Sequence, residues 1–109
     1  MVLPGQPGTP AGIFKTLTLG SNATQAIKSG QAKPFVAVIP PLSIAQPRDT
    51  ECTDIPHGPQ ADSWLSTDVK EAVIKHFRVT PGHWSTLGWS TGAFCASKML
   101  LRHPTSFVA

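Results

Sequence analysis

From Asp62 to Arg78 the chain follows a helical rhythm. Leu65, Val69, Ala72, Val73, His76 and Phe77 fall on one face, and Asp68, Lys70, Glu71, Lys75 and Arg78 fill the other. Glu71 and Lys75 stand four residues apart with the acid first, the favourable order for an ion pair on a helix. Val79-Thr80-Pro81-Gly82 ends the pattern, so His76 is expected at the core edge and His83 at the start of the next strand. Upstream, Pro34-Phe35-Val36-Ala37-Val38-Ile39-Pro40 is continuously apolar and rich in β-branched residues between prolines. That predicts a parallel strand buried on both faces. Between Gly12 and Gln31, Ile13, Phe14, Leu17, Leu19, Ala23, Ala26 and Ile27 are spaced for a helix. A break is expected near Gly20-Ser21, with Ser21 or Asn22 capping the second piece.

Trp84–Leu87 reads as a short strand, and Thr91 to Leu101 as an amphipathic helix closed by His103-Pro104. At the two ends, Met1-Val2-Leu3 suits the last residues of a strand and Ser106–Ala109 the first residues of another. Strands and helices therefore alternate, which implies right-handed βαβ units and a parallel sheet covered by helices. The expected class is α/β, one domain over residues 1–109, with the fold truncated at both ends.

Composition narrows the function more than the fold. The 109 residues include eleven prolines and nine glycines, so loops are frequent. The formal charge is +3, but the nine Lys and Arg are scattered without a run, which argues against a nucleic-acid partner. No apolar stretch approaches the ~20 residues that cross a bilayer, and no signal-peptide pattern opens the chain. No Cys/His spacing suits zinc, and neither a metal nor a cofactor is expected.

Chemistry concentrates where the strand at Trp84–Leu87 meets the following helix. Gly88-Trp89-Ser90-Thr91-Gly92 has the G-x-S-x-G pattern of a nucleophile elbow. On such a turn the serine takes a strained backbone conformation, and side chains at the flanking positions would strike the neighbouring strand and helix. Gly88 and Gly92 remove that collision, and the helix aims its free N–H groups at the reaction site. Pro4-Gly5-Gln6-Pro7-Gly8-Thr9-Pro10-Ala11-Gly12 is a turn-rich loop after the first strand, the place of an oxyanion loop. The oxyanion donors would be the backbone N–H groups of Gln6 and Thr91, since Pro7 has none.

No base accompanies the nucleophile. In this fold the acid and histidine follow the serine on later strands. After Ser90 there is no Asp or Glu, and the only histidine, His103, lies a helix length away, about 20 Å at ~1.5 Å per residue. His57 sits on a loop beside Gly58-Pro59 and reads as a solvent-exposed residue. That loop, Pro41 to Ala61, has no periodicity, and it leaves the end of a strand where open α/β sheets bind ligands. Asp49 and Glu51 are its candidate substrate contacts. Cys52 lies in the same loop, and Cys95 lies about one and a half turns into the helix after the elbow. The pair is either a disulfide across that rim or two separate buried thiols.

Leu3-Pro4-Gly5-Gln6-Pro7-Gly8, Asp49-Thr50-Glu51-Cys52, Trp64-Leu65 with Asp68-Val69, the elbow, and Leu101-Arg102-His103-Pro104 follow one another in an order with a counterpart. It resembles the esterase D and antigen 85-like mycolyltransferase branch of the α/β-hydrolases, especially actinobacterial members. The resemblance covers nearly the whole chain. It implies a Ser-Asp/Glu-His ester hydrolase or acyltransferase with Ser90 as nucleophile and an ester or acyl substrate. It also implies a parent protein outside the membrane, a setting in which a Cys52–Cys95 bridge would persist. Two readings follow. The chain is a piece of a serine esterase or acyltransferase, inactive alone, and self-associating through an exposed sheet edge. Alternatively, it is a non-catalytic binding or interaction domain derived from the same half-fold.

Overall fold

The computed structural model describes residues 1–82 and 84–109, so the strand start expected at His83 lies outside the described residues. Its centre is a parallel pair. β1 (Val2–Leu3) lies against β2 (Leu87–Gly88), with Val2 opposite Leu87 and Leu3 opposite Gly88. The Leu87 N–H donates to the Met1 carbonyl at 2.9 Å, and the Trp89 N–H to the Leu3 carbonyl at 3.2 Å. On the far side of the segment leading into β2, Trp84 bridges Phe107 in parallel. Its N–H donates to the Ser106 carbonyl at 2.8 Å, and its carbonyl accepts from Val108 at 3.0 Å. Ser106–Ala109 thus returns beside the segment leading into β2, with the helix over 91–102 between them in the sequence.

The other flank departs from expectation. Residues 34–40 run beside β1 without turn or bend, but only one bond joins them, from the Val2 N–H to the Val38 carbonyl at 2.8 Å. In a parallel ladder the return bond to the Val2 carbonyl would come from residue 40, a proline with no N–H. The segment is therefore not a strand buried on both faces. Phe35 is 53% exposed and Val36 40%.

The sheet is covered by a helix in three parts: α3 (Ala61–Ser63), a π-helical turn (Trp64–Asp68) and α4 (Val69–His76). Its buried stripe is Leu65, Val69 and Val73, at a spacing of four. The expected stripe was wider. Ala72, His76 and Phe77 are exposed, so the covered face is narrowed to the positions four residues apart. α5 (Thr91–Arg102) buries Gly92, Cys95, Ala96 and Met99, a clean helical stripe. Leu3, Leu65, Cys95, Met99 and Phe107 form the heart of the core.

α1 (Pro10–Thr16) starts with Pro10 behind Thr9, whose Oγ1 accepts from the Gly12 N–H at 3.0 Å. The chain then breaks at Thr18 (φ 43°) before α2 (Leu19–Lys28), earlier than the expected Gly20-Ser21. Ser21 and Asn22 do not cap α2 by accepting. They donate back to the Thr18 and Leu17 carbonyls, each at 2.9 Å, and hold the break. No residue of α2 is fully buried.

Among the described residues no helix is long and apolar enough to cross a membrane.

Candidate active site

Successive segments lie on opposite sides of β1: residues 34–40 on one, β2 on the other. Such a switch in strand order opens a crevice at the carboxyl ends of the strands, the usual ligand site of an open α/β sheet. β1 runs directly into Pro4-Gly5, and β2 directly into Trp89-Ser90. Both candidate loops therefore meet at one rim.

Ser90 precedes the first turn of α5 with φ 56° and ψ −126°, a conformation that L-residues rarely adopt and that costs about 1–3 kcal/mol. Its neighbours show why the turn is so sharp. A Cβ on Gly92 would stand 2.5 Å from the Pro4 carbonyl oxygen and 2.6 Å from the Leu3 carbonyl carbon. One on Gly88 would stand 2.5 Å from the Ala93 nitrogen. Real Cβ atoms do not approach backbone this closely, so only glycine fits at either position. The Gly92 N–H donates to the Trp89 carbonyl at 2.9 Å and the Ala93 N–H to the Ser90 carbonyl at 2.8 Å, closing the turn.

The Pro4–Thr9 loop lies against this elbow. A Cβ on Gly5 would sit 3.1 Å from both the Ser90 Cβ and the Trp89 carbonyl oxygen. Gly5 to Gly8 form a turn around a cis Gln6–Pro7 bond, and the Gly8 N–H donates to the Gly5 carbonyl at 2.6 Å. Among the described residues, neither the Gln6 N–H nor the Thr91 N–H donates to a protein acceptor. The Gln6 side chain is held from behind, its Oε1 accepting from the Ser43 hydroxyl at 2.6 Å. Sequence reading missed Ser43; a lone serine in an aperiodic loop carries no signal.

Between this loop, α1 and the elbow lies a cleft of about 360 Å³ that reaches both Ser90 and Gln6. None of its lining residues is ionisable. His57 tips a tight turn in which the Gly58 N–H donates to the Ile55 carbonyl, and it does not line the cleft. His76 lines a different groove, beside Trp64 and Phe77. His103 ends α5, and its Nε2 lies 3.0 and 3.1 Å from the two oxygens of the buried Asp62, which also meets the Arg102 Nε at 3.3 Å. This carboxylate ties the end of α5 to the start of α3, a contact that sequence spacing could not foresee.

The Asp49–Glu51 stretch is occupied with its own fold. An Asp49 carboxylate oxygen accepts from the Glu51 N–H at 2.9 Å, and Lys98 donates to the Glu51 carbonyl at 2.7 Å and to the Thr53 hydroxyl. Neither Asp49 nor Glu51 lines the cleft. Further along, burial works to raise the Asp54 carboxyl, but hydrogen bonds from the Ser63 hydroxyl and backbone outweigh it and hold the group below its ordinary value. Cys52 and Cys95 are joined in a disulfide with their Cα atoms 5.7 Å apart, fastening the loop to the second turn of α5. Among the described residues no cluster of His, Cys, Asp and Glu could hold a metal ion.

The site thus combines a strained serine, two free backbone donors and an uncharged cleft, without a base. Comparison with protein-family models, with curated proteins and with solved structures finds no match to this chain.

Proposed function

We propose that these residues are the nucleophile and oxyanion part of a serine ester hydrolase or acyltransferase, built on part of an α/β-hydrolase fold. The Ser90 backbone carries the reading. A non-glycine residue at φ 56°, ψ −126°, between two glycines that nothing else can replace, is a costly arrangement to keep for packing alone. The Ser90 Oγ would attack an ester carbonyl. The carbonyl oxygen would take up the electron pair and accept from the Gln6 and Thr91 N–H groups. Collapse would expel the alcohol and leave an acyl-serine, which water or a second alcohol would cleave. The Oγ proton must go to a base, and the cleft contains none. The histidine and its acid would therefore come from outside these residues, and the isolated chain should turn over esters barely above background.

The test supplies the missing base from solution. At alkaline pH, p-nitrophenyl acetate should acylate Ser90 at least tenfold faster than the exposed Ser29 or Ser97, as read by peptide mass mapping. A fluorophosphonate at neutral pH should label the chain weakly. Equal acylation of all three serines would overturn the assignment of Ser90. Saturable Ser90-dependent turnover at neutral pH would overturn the absence of a base, with His57 the first residue to replace.

We propose further that copies of the chain pair through residues 34–40. Among the described residues this run bonds to a neighbouring strand only at the Val38 carbonyl. Strand geometry turns Val36 and Val38 toward β1, and the backbone groups of Phe35, Ala37 and Ile39 toward the open side. Those three positions are symmetric about Ala37. A second copy running antiparallel can therefore pair Ala37 with Ala37 and Phe35 with Ile39 between the flanking prolines.

A further inference from the structure

We infer that the cleft beside Ser90 selects the acyl half of the substrate, and that it takes a short, uncharged, apolar chain of up to about eight carbons. The inference rests on Ser90 being the nucleophile only for the word acyl; that the cleft takes an apolar chain stands on its walls alone. The cleft is lined by both the serine and the Gln6 turn, so a carbonyl bound between them would send one substituent into it. Ile13 and Leu17 of the α1 segment, Trp89, Pro4 and Pro7 supply its apolar lining.

None of these groups can neutralise a carboxylate or an ammonium, so a charged substituent would shed water there and gain no partner of opposite charge. Trp89 is 64% exposed, so a large aromatic surface stands beside the nucleophile for an apolar chain to cover. Thr9 and Thr16 are the only hydroxyls of α1 and its cap that line the cleft. Thr9 already serves as the N-cap of α1, which leaves little polar capacity for a sugar or peptide. The size follows from the volume. At ~30 Å³ for a small heavy-atom group, about 360 Å³ holds roughly a dozen such groups, the carbonyl and leaving oxygen included. A long lipid chain would overrun it.

Binding and acylation are read separately. The ¹³C-methyl spectrum of the 109-residue chain is titrated with hexanamide, with succinamate as its charged counterpart. Hexanamide should shift the Ile13 and Leu17 methyl signals and the Trp89 indole N–H in a saturable manner, and succinamate should leave them in place. Leu17→Trp, which fills the cleft, should weaken hexanamide at least tenfold. Absence of saturable shifts, or equal response to succinamate, would overturn the inference whatever the serine does. In the same chain, alkaline acylation by p-nitrophenyl hexanoate should favour Ser90 over Ser97 more strongly than acetate does, by fivefold or more. Saturable binding with no Ser90 acylation by either ester would leave an apolar ligand site and remove the nucleophile. Ser90 acylation with no difference between the two esters would keep the nucleophile and remove the acyl assignment of the cleft.

Discussion

Ser90 holds its hydroxyl out at the cost of its own backbone. Glycine is at ease at φ 56° and ψ −126°, so Ser90→Gly should raise stability by about 1–2 kcal/mol, the relief of strain outweighing the added freedom of the unfolded chain. Gly92→Ala places a methyl group into the Leu3 and Pro4 carbonyls, which belong to β1 and its loop and cannot yield separately. It should cost about 3 kcal/mol or prevent folding. Urea denaturation of both variants checks the pair of signs. A Ser90→Gly chain less stable than the parent would mean that the turn is not strained. The same trade, stability given up at one residue that carries chemistry, is common where side chains must be presented rather than buried.

At the scale of elements, the Pro41–Ala61 loop is made into a fixed part of the structure by three ties: the Lys98 amine, the Asp54–Ser63 bonds and the Cys52–Cys95 bridge. The bridge closes 43 residues of sequence, and loop-closure entropy gives it a worth of about 4 kcal/mol. Cys52→Ala with Cys95→Ala should therefore lower the urea-derived stability by that amount, while dithiothreitol should no longer affect the variant. Unchanged stability would show that Lys98 and Ser63 hold the loop alone.

The elements were legible in sequence in proportion to how locally they are determined. The sharp turn at Ser90 was legible because Gly88 answers a steric demand from Gly92 and Ala93, within five residues, although the demand on Gly92 comes from the distant Leu3 and Pro4 carbonyls. α5 was legible because Cys95, Ala96 and Met99 share a face that nothing interrupts. The helix over 61–76 was legible, but the exposure of Ala72, His76 and Phe77 was not, since spacing marks the centre of a face and not how far its neighbours cover it. The strand at 34–40 failed for a reason visible only with its partner known. Pro40 stands where the sheet would need an N–H. Ser43 behind Gln6 and Asp62 beneath His103 were invisible, because each is defined by a neighbour dozens of residues away.

For the whole molecule, 14.0 Å in radius of gyration, two surfaces stand out. One is the arm of α1 and α2, in which α1 walls the cleft and α2 has no fully buried residue. The other is the open edge at residues 34–40, where Phe35 and Val36 are exposed and the exposed Phe77 shares a groove with Val38 and Pro40. The wild-type chain should sediment as a concentration-dependent mixture with a dimer. Ala37→Pro, which removes the central N–H of the proposed pairing, should sediment as a monomer at the same concentrations. A wild-type chain that is monodisperse and monomeric across that range would remove the pairing.

The pairing of β1 with β2 also sets a clock. Met1 bonds to Ser85, 84 residues further on, and no described strand lies between β1 and β2 in the sequence. At about 5–20 residues per second, synthesis reaches Leu87 some 4–17 seconds after Val2. Throughout that interval Met1, Val2 and Leu3, all buried in the finished fold, have no strand to cover them. Whatever else the ribosome makes, the residues between the two strands must emerge before Met1–Leu3 can pair with β2.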